Sequence, residues 1–150
     1  MALKARIKDE MKAALLSGDR FVGETLRNLT AAILDEEVKL GKRDEGLSDE
    51  EIEKVVAREV KKRNESAKIY RDNNRPDLAE PEEREIEILQ AYLPKQLDEN
   101  ELSAIIEAKI AELSVTGPQA MGQVIGAVKK QVGNAADGAA IARIVKQKLD

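Results

Sequence analysis

The chain has 150 residues, 42% of them hydrophobic, 2% aromatic and 36% charged, with a formal net charge of −4 from 25 basic and 29 acidic side chains. It contains no cysteine and no histidine, which excludes disulfides, thiolate nucleophiles, Cys/His zinc sites, Ser-His-Asp triads and imidazole proton shuttles within the chain. So weak a negative balance draws in no polyanion by its global field, and nucleic-acid binding needs a local basic face.

Apolar residues recur at helical spacing nearly throughout and no stretch alternates strictly, so the expected fold class is all-α. The spacing predicts a first helix over Leu3 to Leu16, with Leu3, Ile7, Met11 and Ala14 on one face, broken by Ser17-Gly18-Asp19. A second runs from Arg20 to Leu40 on the stripe Val22, Leu26, Leu29, Ile33 and Leu40, with Gly41 where a left-handed cap residue is wanted. After a polar loop, Ser48-Asp49-Glu50-Glu51 reads as a capping box that opens a third helix reaching Arg71. Asn73-Asn74-Arg75-Pro76 ends it.

A fourth helix starts near Asp77 or Pro81, the latter suited to a first turn and not to a helix interior. It continues through Ile86, Leu89 and Tyr92, and Pro94 stops it at Leu93. Beyond that break, Asp98 to Glu101 offers another capping box for a helix with Leu102, Ile105, Ile106, Ile110 and Leu113 inward. A sixth carries Met121, Val124, Ile125, Val128 and Val132. A seventh, capped by Asp137, carries Ile141, Ile144, Val145 and Leu149. The expected organisation is an antiparallel bundle of about four helices over residues 1–93 and a small three-helix domain over 94–150.

Candidate chemistry is sparse. Lys54, Arg58, Lys61 and Lys68 share one face of the third helix, as a phosphate-binding stripe does; pairing with the acidic fourth helix (Asp77, Glu80, Glu82, Glu83, Glu85 and Glu87) is the favoured reading. Glu83 and Glu87 stand four apart like carboxylates of a di-metal bundle, but such sites also use histidine. Lys62 and Ser66 sit one turn apart with no sign of an oxyanion hole. No metal site, cofactor or catalytic residue is assigned. Gly122 and Gly126 lie on one face of the sixth helix, a pattern that points to close backbone packing against a neighbour. Lys129, Lys130, Arg143, Lys146 and Lys148 cluster near helix ends beside loops of small residues. They suit either a phosphate backbone or the helix dipole.

Tyr92-Leu93-Pro94-Lys95-Gln96-Leu97, Met121-Gly122-Gln123-Val124-Ile125-Gly126 and Ala136-Asp137-Gly138, at these separations, resemble the GatB/YqeY family. Thr25-Leu26-Arg27 and the run from Glu82 to Leu93 are similar to standalone YqeY-like proteins, and the likeness covers essentially the whole chain. The resemblance implies a helical N-terminal part followed by a domain like the C-terminal tail of the tRNA amidotransferase B subunit, where the tail helps grip tRNA and the chemistry lies elsewhere. The label that goes with the family, carbon–nitrogen ligase with glutamine as amido donor, is not expected of this chain alone, which lacks the kinase-like body and the Ser-Ser-Lys constellation of the full enzyme.

Met121, Gly122, Val124, Asp137 and Gly138 match the tail motif: Met121 and Val124 as core, Asp137 as a cap, and the glycines, with Gly126, as close-approach positions. RNA contact falls by proximity to Lys129, Lys130, Arg143 and Lys146. The expectation is a non-catalytic accessory module whose partner is tRNA or a tRNA-linked enzyme; the alternative is a protein–protein adaptor. No apolar h-region opens the chain and no apolar run approaches about 18 residues, so neither secretion nor a membrane span is expected and cytoplasm is the default location.

Overall fold

The computed structural model describes residues 2–150, and every structural statement below concerns those residues. Seven α-helices and no strand are present: α1 (Ala2–Ser17), α2 (Arg20–Lys39), α3 (Asp49–Asp72), α4 (Pro76–Gln90), α5 (Glu99–Leu113), α6 (Met121–Val132) and α7 (Gly138–Leu149). Short 3-10 turns, Pro118–Ala120 and Gly133–Ala135, precede and follow α6. The fold class is all-α, and the chain divides into two compact units, Met1–Leu93 and Pro94–Asp150.

In the first unit α1 packs on α2 and α3 on α4. Both pairs are antiparallel. Lys4 meets Glu37 while Leu15 lies against Gly23, and Arg63 meets Glu85 while Arg71 meets Glu83. In each pair the contacts advance along one helix as they retreat along the other. The core gathers Ile7, Leu26, Leu29, Ile33, Leu47, Ile52, Val55, Val56, Val60, Ile86, Leu89 and Tyr92. The capping box opening α3 is complete: Ser48 Oγ accepts from the Glu51 amide at 3.2 Å and Glu51 accepts from the Ser48 amide at 3.0 Å.

Three expectations for this unit need correction. The inward stripe of α2 passes from Ile33 to Glu37, 1% exposed, whereas Leu40 is 46% exposed. The stripe's register selects residue 37 whatever its polarity, and the carboxylate is accommodated because Lys4 reaches it. Pro81 lies inside α4, not in its first turn; Pro76 holds the first-turn position instead. Pro81 and Asp77, whose carbonyl loses its intrahelical donor, are both solvent-exposed, so that carbonyl stays open to water. Finally, α4 ends at Gln90 and not Leu93, because the Tyr92 and Leu93 amides donate three residues back, to the Leu89 and Gln90 carbonyls at 3.1 Å, and not four; this turn still carries the Tyr92 side chain inward. Its hydroxyl donates to Glu10 at 2.5 Å and Arg6 lies 4.8 Å over its ring. Burial and the Glu10 carboxylate push the phenol pKa up, which keeps it a donor.

The second unit packs α5, α6 and α7 around Leu102, Ile106, Ala120, Val124, Val128, Ile141, Ile144, Val145 and Leu149. This is an aliphatic core without an aromatic side chain. Asp98 caps α5, accepting from the Glu101 amide at 2.7 Å. Ser114 closes that helix in the left-handed region at φ 53°. Leu97 and Met121 pack at the edge of the core.

Candidate nucleic-acid interface

Charge divides unevenly between the units. Residues 94–150 carry seven basic and seven acidic side chains, so the net −4 resides entirely in 1–93. Inside the neutral unit the signs separate by helix. α6 and α7 hold five basic residues and no acidic one, while α5 holds four acidic residues and one lysine.

Helix packing then sorts the cations. Arg143 bonds Glu99 at 2.6 Å and Lys148 bonds Glu107 at 2.5 Å, so both are stitched to α5. Lys129, Lys130 and Lys146 are exposed and enter no ion pair with the described residues. Of the four residues assigned to RNA contact, the structure therefore leaves three unpaired and ties down Arg143. Lys129 leans over the start of α7: a Cβ built on Gly138 meets its Cε at 3.3 Å and its Nζ at 3.4 Å. A cation in this position faces the positive end of the helix dipole. The dipole-complement explanation accordingly fits Lys129 as a residue of α6's last turn, but not the place its ammonium occupies beside α7.

The motif residues sort as follows. Met121 is half-buried on the core. Gly122 and Gly126 are exposed, and a Cβ on either meets no atom within 4 Å. This corrects the close-packing expectation: the spacing correctly puts the two glycines on one face, but that face is turned to solvent and not to a neighbouring helix. Asp137 occupies the N-cap position of α7 without any side-chain cap bond; its carbonyl, not its carboxylate, accepts from Ile141 at 3.1 Å. Gly122, Gly126 and Lys129, spaced by four and three residues, form one exposed strip of α6 that is bare backbone until it reaches the lysine.

Elsewhere most of the basic residues of α3 are neutralised, but none of the stripe residues Lys54, Arg58, Lys61 and Lys68 pairs with α4: Arg58 turns to α2 and Lys68 to its own helix. Arg63 pairs with Glu59 and Glu85, Arg71 with Glu83, and Arg58 with Glu36. Lys62 and Lys68 are paired within α3. Lys54 and Lys61 alone of the basic residues on α3 enter no ion pair with the described residues, so intramolecular pairing accounts for most of that helix's charge. Glu83 is held by Arg71. Among the described residues, no group of three or more carboxylates is placed to hold a metal, and no helix is long and apolar enough to cross a membrane. Sequence reasoning missed buried Glu37 and buried Gly23, both on α2.

An all-helical chain of two units, the second bearing a basic face with a bare-backbone strip, is the class these features define. The family model described as Yqey-like protein matches residues 4–149, and the chain belongs to that family. Curated relatives share the name "Altered inheritance of mitochondria protein 41, mitochondrial". The one from Lachancea thermotolerans is 30% identical over 76% of this chain and 61% of its own length. That from Clavispora lusitaniae is 33% identical over 65% and 57%. That from Eremothecium gossypii is 33% identical over 75% and 61%. The chain thus spans about three fifths of the length of these relatives.

Their names overturn cytoplasm as the expected location. The inference rested on the missing apolar h-region, which argues against a secretory signal. Mitochondrial transit peptides are amphipathic and arginine-rich, so the lack of such a region never separated cytoplasm from mitochondrion.

Proposed function

We propose that the C-terminal unit docks an RNA of the transfer class through α6 and the start of α7, and that the protein works as a non-catalytic accessory module to a tRNA-linked enzyme. The observation that carries this reading is the sorting of cations. Arg143 and Lys148 are spent on α5, while Lys129 and Lys130 stand unpaired beside the Gly122–Gly126 strip and Gly138. A helix face without side chains lets a phosphodiester backbone come close, and two lysines at its end supply the charge-assisted contacts. Lys129 held against the first turn of α7 brings an ammonium and the free amides of a helix N-terminus toward the same approaching anion. The neutral balance of the unit matches a local interface better than a long-range attractor.

The test is a filter-binding titration of the intact protein with unfractionated tRNA at two salt concentrations, beside the Lys129→Glu/Lys130→Glu variant. Binding should weaken with salt and collapse in the variant. Absence of binding at low salt overturns the proposal. A second reading, a protein–protein adaptor, is favoured by the exposed Leu34, Val38 and Leu40 at the end of α2. It expects partner capture that is indifferent to Lys129 and Lys130.

A further inference from the structure

The Tyr92–Leu97 motif includes a residue that the docking face alone leaves unexplained. Gln96 is exposed, yet its side-chain amide is doubly engaged, donating to the Pro94 carbonyl at 2.8 Å and to the Asn134 carbonyl at 3.0 Å. Next to it, the Leu97 amide donates to the Ala135 carbonyl at 2.8 Å, and the Leu97 side chain packs on the core of the same unit. Residues 94–97 therefore form a strap pinned to the turn between α6 and α7.

That turn has a backbone that is costly to order. Its five residues, 133–137, begin with one three-residue 3-10 turn entered through Gly133 at φ 54°. Short 3-10 segments have poor hydrogen-bond geometry, and glycine loses the most freedom on ordering. It also lies between Lys129 and Lys130, in the last turn of α6, and Gly138, which opens α7. Its carbonyl oxygens would repel a phosphate. The strap engages two of them, those of Asn134 and Ala135, and fixes the path of the chain linking the lysines to α7.

We infer that Gln96 is a positioning residue for the docking face: it pre-forms the Gly133–Ala135 turn so that Lys129, Lys130 and the start of α7 meet a phosphate backbone without reordering. This inference rests on the RNA reading above. Pre-formation and direct contact leave different signatures. Losing a direct lysine–phosphate contact removes a released counterion and lowers the slope of log affinity against log salt, by about 0.7–0.9 per contact. Losing pre-formation lowers affinity at every salt and leaves the slope unchanged.

The experiment uses the full chain with unfractionated tRNA and compares wild type, Gln96→Met, Gln96→Ala and Lys129→Ala across a salt series. Gln96→Met keeps the side-chain length without a donor and without adding charge. Amide hydrogen exchange is followed in each variant. The expected result is an affinity loss of about three- to tenfold for both Gln96 variants. Their salt slope should equal that of wild type, exchange at Leu97 should be faster, and exchange in the α5–α7 core should be unchanged. Lys129→Ala should instead reduce the slope. Wild-type affinity in Gln96→Met and Gln96→Ala overturns the inference while leaving the RNA reading standing. So does a slope that falls as it does in Lys129→Ala. No binding by the wild type overturns both.

Discussion

Lys4 and Glu37, 33 residues apart, form an ion pair inside the first unit, with Lys4 Nζ donating to both carboxylate oxygens at 3.1 and 2.7 Å. The Glu37 side chain is 2% exposed and that of Lys4 25% exposed, so the carboxylate has little access to water and depends on the ammonium. Lys4→Met is expected to destabilise the protein by about 3 kcal/mol, because a buried charge is left uncompensated. The double substitution Lys4→Met/Glu37→Leu should cost less than Lys4→Met alone, since it also removes the desolvation of both charges. Urea unfolding of both variants decides the point; equal losses would mean the pair is packing and not electrostatics.

Acid should loosen the start of α3 in a defined window. The Glu51 carboxyl, bonded first by Lys42 at 2.8 Å and then by the Ser48 amide, is held down from an ordinary 4.5 to about 2. A carboxylate with a depressed folded-state pKa contributes stability that is fully present above its unfolded value and is lost as pH falls through the folded value. Thermal melts should therefore fall between about pH 4.5 and 2, and Glu51→Gln should flatten that part of the curve. An unchanged acid limb in Glu51→Gln would assign the loss to other carboxylates.

Gly23 is a close approach between α2 and α1. A Cβ there would run into Leu15 Cδ2 and lie 2.8 Å from its Cγ. Gly23→Val should lower stability by about 1–3 kcal/mol through overpacking. Leu15→Ala in the same background should recover part of the loss, because Leu15 is itself 41% exposed and gives up little burial. Additive losses in chemical denaturation would refute this packing account.

The seven helices were legible because their apolar stripes hold the 3.6-residue period and their ends carry local signals such as Ser48 with Glu51. Glu37 was not, although it stands one turn beyond Ile33 on the inward stripe. A polar residue on a core face is explained only by its partner, and Lys4 is far away in sequence. Pro81 was misplaced for a related reason: its tolerance inside α4 depends on facing solvent, which a local rule does not encode. The candidate face was half legible. Lysines near helix ends can be seen in the sequence, but only the packing of α5 separates Arg143, tied to Glu99, from unpaired Lys129. The spacing of Gly122 and Gly126 puts them on one face and cannot say whether protein or water lies opposite.

Substitutions at those two glycines read stability and the proposed docking apart. Each sits on the exposed face of α6 where a Cβ finds open space, so neither is required by packing, and both cost backbone entropy. Gly126→Ala should stabilise the protein by about 0.5–1 kcal/mol, the ordinary helix-interior difference between the two residues, and Gly122→Ala, in the first turn of α6, by less. Nothing in the fold of this chain returns that cost. If the strip is where a phosphate backbone lies, a long side chain at its middle must hold the RNA away from Lys129. Gly126→Leu should then keep a raised melting temperature while losing tRNA affinity at every salt concentration. Melting curves and filter binding on the same preparation read both effects together. A Gly126→Leu protein that is more stable and binds tRNA like the wild type would clear the strip of any role in docking, and the search would move to Lys130 and Lys146.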